Sequence, residues 1–201
     1  MAVRNPRSIR ISGIGGQGNV IMGIILADAL VSLEHWVVQT QSYGAQVRGG
    51  LSFCDVLYST EPIDYPMANQ FGVIYTMHQT GIRAHIPLLK MNGVLIVDTS
   101  FVTSIPKEAF RATKKIITKP VTTLAEQKFG TPLPANLMGL GIIAKATGYV
   151  TKEALKEAMK KHIREKYHKM NEEAIDYGYS LIERVYKIRE ERREFAGQGF
   201  E

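Results

Sequence analysis

The chain has 201 residues, 45% of them hydrophobic and 22% charged, and its formal net charge at pH 7 is +6. These proportions are typical of a globular protein and exclude extended disorder. The single cysteine, Cys54, excludes an internal disulfide, and it excludes an iron–sulfur cluster or a thiolate zinc site held by this chain alone.

Strand-like and helix-like segments alternate along the first 100 residues. Apolar residues at helical spacing predict helices over Asn19–Leu33 and Ile82–Leu89. Short apolar runs predict strands at Ile9–Gly13, Trp36–Gln39, Leu51–Tyr58, Phe71–Met77, Val94–Asp98 and Ile116–Thr118. Strands separated by helices predict parallel pairing and an α/β fold, a doubly wound Rossmann-like sheet with helices on both faces.

The pattern becomes helical beyond Pro134. It predicts helices over Ala135–Ala146, with Gly148 as C-cap, over Thr151–Lys166, with Thr151 as N-cap, and over Asn171–Glu194. We therefore predict a Rossmann-like domain over residues 1–150 and a helical C-terminal extension over residues 151–201, packed on the same domain.

The positive charge lies mainly in the first part of the chain. Residues 1–150 carry 13 basic and 8 acidic residues, whereas residues 151–201 carry 12 and 11, as on a solvated helix surface. A phosphate-bearing ligand or an acidic protein partner fits this surplus. Because no nucleic-acid motif, membrane span or targeting segment is visible, we expect a cytoplasmic protein that binds neither nucleic acid nor membranes.

A glycine-rich motif is the first candidate functional site. Residues 13–18, Gly-Ile-Gly-Gly-Gln-Gly, follow a predicted strand and open a predicted helix, the context of a phosphate-binding turn. We expect the first glycine to permit a tight turn, the second to let a phosphate approach and the last to let helix and strand pack closely. The candidate ligand-binding residues are Gly13, Gly15, Gly16, Gln17 and Gly18.

The acidic residue that holds the ribose of NAD is missing from this motif. It is expected about 20 residues on, but the stretch Val37–Gln41 carries no acid, which speaks against a dehydrogenase. Two interpretations stay open for the glycines: a site for phosphate or pyrophosphate, or only a close turn between strand and helix.

The polar segment Gln41–Gly50 is the second candidate functional site, because it is a polar loop where a helix is expected. The guanidinium of Arg48 can donate two hydrogen bonds to a carboxylate or a phosphate. Tyr43 offers a ring for stacking and a hydroxyl, and Gly49 and Gly50 allow a ligand to approach the backbone closely. We expect this loop and the glycine motif to meet beyond the carboxyl ends of the strands, where such sheets bind ligands. The alternative is an interface loop without a ligand.

Three further residues lie near predicted strand or helix ends. His78 and Asp98 each follow a strand at the same edge, where a loop histidine and a capping carboxylate are the commoner uses. Asn136 either caps the helix that begins near it or binds a ligand, and we hold both open.

Together these segments resemble the gamma subunit of 2-oxoacid:ferredoxin oxidoreductases. The resemblance is carried by GIGGQG at residues 13–18, SYGAQVRGG at 42–50, Cys54-Asp55-Val56, and PANLMGLG at 134–141. The resemblance implies an enzyme that converts a 2-oxoacid and coenzyme A (CoA) to acyl-CoA, CO2 and reduced ferredoxin. The form YGAxVRGG is most similar to the 2-oxoglutarate type, with pyruvate, branched-chain 2-oxoacids and indolepyruvate as alternatives.

The resemblance also implies a division of labour between chains. Thiamine diphosphate and iron–sulfur clusters would lie on partner subunits (alpha, beta and, if separate, delta), with ferredoxin as acceptor. This chain would not be active alone, and its candidate residues would help to bind CoA. A stand-alone nucleotide-dependent enzyme and a purely structural bridging subunit are the alternatives.

Overall fold

The computed structural model describes residues 6–43 and 49–188, which form a six-stranded sheet in the order β2-β3-β1-β4-β5-β6 with helices around it. The strands are β1 (Arg7–Ile14), β2 (Trp36–Tyr43), β3 (Leu51–Ser59), β4 (Phe71–Thr76), β5 (Leu89–Asp98) and β6 (Lys115–Lys119). The helices are α1 (Asn19–Val31), α2 (Gln79–His85), α3 (Lys107–Ala112), α4 (Val121–Phe129), α5 (Ala135–Thr147), α6 (Lys152–His162) and α7 (His168–Ser180).

Strand β3 runs opposite to its neighbours, so the prediction of parallel pairing is wrong for it. It pairs antiparallel with both β1 and β2, whereas β1, β4, β5 and β6 pair in parallel as predicted. The reason is the connection: β2 and β3 form a hairpin in which Tyr43 faces Ser52 across the pair. A hairpin needs no crossover helix, which explains the polar segment found where a helix was expected.

Both faces of the sheet are covered by helices, as predicted. Successive strand residues point to opposite faces, and Ile9, Ile11 and Tyr75 belong to the larger core, under α1 and α4 to α7. Ile74 and Leu95 belong to the smaller core, under α2 and α3. The sheet therefore has the three-layer arrangement of an α/β fold.

Two helix boundaries with a capping signal are confirmed, whereas α6, predicted to reach Lys166, ends at His162. Gly148 ends α5 with a φ of 65°, and the Thr151 hydroxyl accepts a hydrogen bond from the N–H of Ala154 (3.1 Å) at the start of α6. The short helices α3 and α4 were not predicted from sequence, because their polar composition gives little apolar periodicity. Helix was predicted over Ile82–Leu89; α2 covers this range to His85, a 3-10 helix continues over Ile86–Leu88, and β5 begins at Leu89.

The last predicted helix is too long. Helix α7 ends at Ser180, and residues 182–188 form neither helix nor strand, so the prediction of helix up to residue 188 is wrong. Segment 182–188 is held by tertiary contacts: the Tyr186 N–H donates to the Ala146 carbonyl (2.7 Å) and Lys115 donates to the Lys187 carbonyl (2.7 Å). Residues 189–194 lie outside the described residues, and the division at residue 150 stays a prediction.

Across residues 6–43 and 49–188, no helix combines the length and the apolar character needed to cross a bilayer.

Helices α5 and α7 approach each other unusually closely through two glycines. A Cβ on Gly141 would collide with the backbone of Ile175 in α7, and a Cβ on Gly178 would collide with the backbone of Met138 in α5. Backbone atoms cannot move aside as a flexible side chain can, so both positions require glycine.

We expect Gly178→Ala to destabilise the chain by about 2 kcal/mol, since the new methyl group overpacks a fixed backbone contact. Urea unfolding measures this difference. Glu173→Ala, on the exposed side of the same helix, is the matched control and should change stability little. Equal stability of both variants would contradict the close contact.

A buried polar cluster lies on the face opposite the larger core. Arg10 forms a bidentate ion pair with Asp55 (2.6 and 2.7 Å), and its guanidinium lies between the rings of Phe53 and Phe71 at about 4 Å. Beside it, the Ser12 hydroxyl shares a 2.7 Å hydrogen bond with Nδ1 of His85. Burial, together with the charge of Arg10, lowers the pKa of His85 to about 4.

This depressed pKa predicts an acid-sensitive fold. Between pH 6.5 and about 4 the unfolded chain takes up a proton at His85 that the folded chain does not, so stability falls through that window. We expect His85→Asn to lose less stability than the wild type between pH 6.5 and about 4, as measured by urea unfolding at several pH values. The His85 ring resonance in NMR should titrate near pH 4, and titration near 6.5 would refute the assignment.

Candidate functional site

A cavity of about 410 Å³ opens at the carboxyl ends of β1 and β4. The glycine turn forms one wall, the start of α5 forms another, and Met77 and His78 follow β4 into it. Phe101, Thr122 and Leu133 complete the lining. The cavity therefore lies at the sheet edge predicted from sequence.

The glycine turn leaves the start of α1 without a cap. Gly18 is the N-cap residue in a left-handed conformation (φ 76°), which glycine adopts without steric cost. No side chain caps the helix, and its first turn holds no acidic residue. Within the described residues the N–H groups of Gly16 and Gly18 find no acceptor. The start of α1, which is the positive end of its helix dipole, thus lies at the cavity, and this favours an anion.

Gln17 fastens this turn to the neighbouring strand. Its carbonyl oxygen accepts from the N–H of Ile14 (2.9 Å), and its amide nitrogen donates to the carbonyl of Met77 (3.0 Å). Gln17 therefore positions the turn rather than offering its amide to a ligand.

A second helix begins at the same cavity. Helix α5 has Pro134 as N-cap, with no side-chain cap and no acidic residue in its first turn. Asn136 is not the N-cap; its carbonyl oxygen accepts from the N–H of Leu137 (2.9 Å), and its amide nitrogen lies 2.5 Å from where a Cβ on Gly18 would be. Two uncapped helix N-termini therefore converge here, and Asn136 lies between them.

The polar loop reaches the glycine turn as predicted, as far as it is described. The N–H of Gly15 donates to the carbonyl of Gly50 (2.9 Å), and Gly49 has a φ of 77°. Tyr43 ends β2 opposite Ser52. Arg48 lies outside the described residues, so its predicted role stays a prediction.

Two polar residues at this edge serve the fold. The Asp98 carboxylate accepts from the N–H of Ser100 (2.9 Å) and from the N–H and hydroxyl of Thr122 (3.1 and 2.6 Å), which confirms the capping role. His78 is the N-cap of α2, where its Nδ1 accepts from the N–H of Thr80 (3.2 Å), and it also lines the cavity.

Other predicted roles change in the structure. Gly18 was expected to allow close packing of helix on strand, but Gly23 does so, because its Cβ would collide with the side chain of Cys54. Gly13 lies in β1, and a Cβ there would meet the Gln17 and Met77 side chains. Burial raises the pKa of the Cys54 thiol to about 11, so the thiol stays protonated near neutral pH.

Sequence reasoning missed the apolar lining at Phe101 and Leu133. Leu133 is 69% exposed, a high value for a leucine. The sequence feature that could have indicated Leu133 is its position between Pro132 and Pro134, immediately before an apolar helix. Nothing in the sequence indicated that Phe101, beyond the end of β5, lies near Leu133. In the described ranges, no group of three or more His, Cys, Asp or Glu side chains is arranged to hold a metal ion.

The sequence matches the pyruvate ferredoxin/flavodoxin oxidoreductase family over residues 8–181. It is 35% identical to the 2-oxoglutarate synthase subunit KorC of Methanothermobacter marburgensis over 179 residues, which is 88% of this chain and 96% of the relative.

Two solved structures have a similar fold. The gamma subunit of a keto/oxoacid ferredoxin oxidoreductase from Geobacter sulfurreducens has a TM-score of 0.77 and 31% identity, over 87% of this chain and 95% of that one. The 2-oxoglutarate:ferredoxin oxidoreductase of Magnetococcus marinus, with 2-oxoglutarate, CoA and succinyl-CoA bound, has a TM-score of 0.76. At 20% identity, over 89% of this chain and 31% of that one, it shares the fold alone.

We expect Gln17→Ala to destabilise the chain by about 2 kcal/mol, because the N–H of Ile14 and the carbonyl of Met77 both lose their partner. Urea unfolding gives the value. Gln127→Ala, at an exposed position of α4, should be neutral. A neutral Gln17→Ala would show that the turn holds its shape without this side chain.

Proposed function

The chain belongs to the pyruvate ferredoxin/flavodoxin oxidoreductase family, and from that premise we propose that it is the gamma subunit of an enzyme acting on 2-oxoglutarate. The reaction joins 2-oxoglutarate and CoA to give succinyl-CoA and CO2, and passes two electrons to two molecules of oxidised ferredoxin. Support for the substrate comes from the 35% identical relative, which is a 2-oxoglutarate synthase subunit.

Within that enzyme, we propose that this chain binds CoA at the cavity beside the glycine turn. This proposal is based on the N-termini of α1 and α5, which meet at one cavity. Neither N-terminus has a side-chain cap or an acidic residue in its first turn. Such a pair of helix ends suits the diphosphate of CoA. Apolar side chains, among them Phe101 and Leu133, would contact the uncharged part of the ligand.

The electron-transfer chemistry is assigned to partner chains. Thiamine diphosphate supplies the carbanion chemistry of decarboxylation, and iron–sulfur clusters carry the electrons to ferredoxin. We place both groups on the alpha, beta or delta subunits. The one thiol of this chain, in Cys54, is buried beside α1, away from the cavity. The role of this chain is then to bind and orient CoA.

Purification of the tagged protein from its own source, without oxygen, tests the assembly. We expect co-purifying subunits that carry iron and thiamine, and ferredoxin reduction that depends on CoA and is fastest with 2-oxoglutarate in a panel of 2-oxoacids. A lone or homo-oligomeric species without cofactors, reproducible under gentle conditions, would refute the proposal. Preference for pyruvate or a branched-chain 2-oxoacid would change the substrate only.

Asn136→Asp tests the CoA site. The substitution keeps the shape of the side chain but puts a negative charge between the two helix ends, where it repels a phosphate and favours the helix. We therefore expect the KM for CoA in the complex to rise about tenfold while thermal stability is kept or increased.

Asn69→Asp makes the same charge change at an exposed position before β4, and it should leave the KM unchanged. An unaltered KM in Asn136→Asp, with the complex intact, would contradict CoA binding here and would favour a purely bridging role.

A further inference from the structure

We propose that the edge of the sheet at β2 pairs with the same edge of a second copy of this chain, antiparallel and about a two-fold axis. Strand β2 is the last strand of the sheet on its side, and among residues 6–43 and 49–188 no strand pairs with its outer side. Alternate residues of an edge strand direct N–H and C=O groups away from the sheet, where another strand can bind them. Such pairing is independent of the CoA site proposed above.

The two edges of the sheet differ in how well they are protected against association. Strand β6, at the opposite edge, has five residues, and two of them are the lysines Lys115 and Lys119. Strand β2 has eight residues, none of them charged or proline, and it pairs with β3 along its whole length without a register shift. Lysines, prolines, bulges and short length are the features by which natural proteins block edge pairing. The β6 edge is therefore protected, whereas the β2 edge is not.

Helix α1 adds an apolar surface beside the β2 edge, because it packs on both β2 and β3. Its outer stripe consists of four apolar residues at helical spacing, none of them buried: Val20, Ile24, Ala27 and Val31. The only charged residue of α1, Asp28, contacts Lys161 and His162 of α6 (3.3 and 3.1 Å). A helix that is apolar on all sides is usually buried, so the outer stripe of α1 indicates a covering partner.

The arrangement of α1 and β2 favours a second copy as that partner. Gly23, near the middle of α1, lies against Cys54 and Val56 of β3. These two residues pair with Gln41 and Gln39, near the middle of β2. A two-fold axis through the middle of β2 therefore brings the outer stripe of α1 towards the same stripe of the second copy. Because β2 is uncharged, no like charges oppose each other across the strand pair.

The contact is large enough for a specific dimer. The eight residues of β2 span about 26 Å, and a strand layer with a helix layer above it is about 20 Å deep. Each copy therefore contributes roughly 500 Å² and the two together roughly 1,000 Å², the lower limit of a specific interface. We expect a dissociation constant on the order of 10 µM for an interface of this size.

Analytical ultracentrifugation of the full chain tests the pairing, and we expect a monomer–dimer equilibrium. Ile24→Lys places two ammonium groups in an apolar contact near the axis and should raise the dissociation constant about tenfold or more. Val31→Lys, at a position 54% exposed where a lysine does not disturb folding, should raise it about fivefold. Phe110→Lys, at a position 55% exposed on the other face of the sheet, is the matched control and should leave it unchanged.

Trp36 gives an independent readout at the edge itself. It is the only tryptophan of the chain, it begins β2, and it is 55% exposed. We expect acrylamide quenching of its fluorescence to fall as the dimer forms, at the same protein concentrations as the change in sedimentation. In Ile24→Lys the quenching should stay high over that range of concentrations.

Three results would overturn the proposal. The first is a full chain that stays monomeric at concentrations well above the expected dissociation constant. The second is a dimer that neither Ile24→Lys nor Val31→Lys weakens and that leaves the quenching of Trp36 unchanged, because it then forms through another surface. The third is a monomeric chain whose Ile24→Lys variant is lost from the oxidoreductase complex, because the β2 edge then binds a different subunit.

Discussion

The site depends on where α5 can lie. This helix is buried along most of its length, between the sheet and α7, and it fits there because glycines remove side chains at its contacts. Gly139 packs directly on the ring of Tyr75, and Gly141 packs on the backbone of α7. This depth brings the first turn of α5 to the edge of the sheet, beside Gly18. Larger residues at these positions would push α5 outwards and separate the two helix ends that form the cavity.

The reversal of β3 is the second constraint. Because β2 and β3 form a hairpin, β3 begins at the sheet edge where β1 ends, and the Gly50 carbonyl accepts a hydrogen bond from the Gly15 N–H. Four parallel strands keep the remaining carboxyl ends at that same edge. The antiparallel direction of β3 thus places Gly50, immediately before this strand, beside the glycine turn.

The described lining of the cavity at the glycine turn contains no lysine or arginine. For the CoA binding proposed above, attraction for the diphosphate would therefore come from backbone N–H groups and helix dipoles, which are fixed in direction and are not lost through side-chain motion.

The sequence determined the α/β class, most strands, the caps at Gly148 and Thr151, the glycine turn and its edge of the sheet, and a family resemblance that the comparisons confirm. These features depend on local rules: apolar periodicity, glycine conformation and capping. Only the tertiary structure decided the direction of β3, the end of α7 at Ser180, and the meeting of Gly18, Asn136 and Leu133 around one cavity. The reason is physical: pairing direction and helix-to-helix approach are fixed by contacts between residues far apart in sequence, which no local pattern encodes.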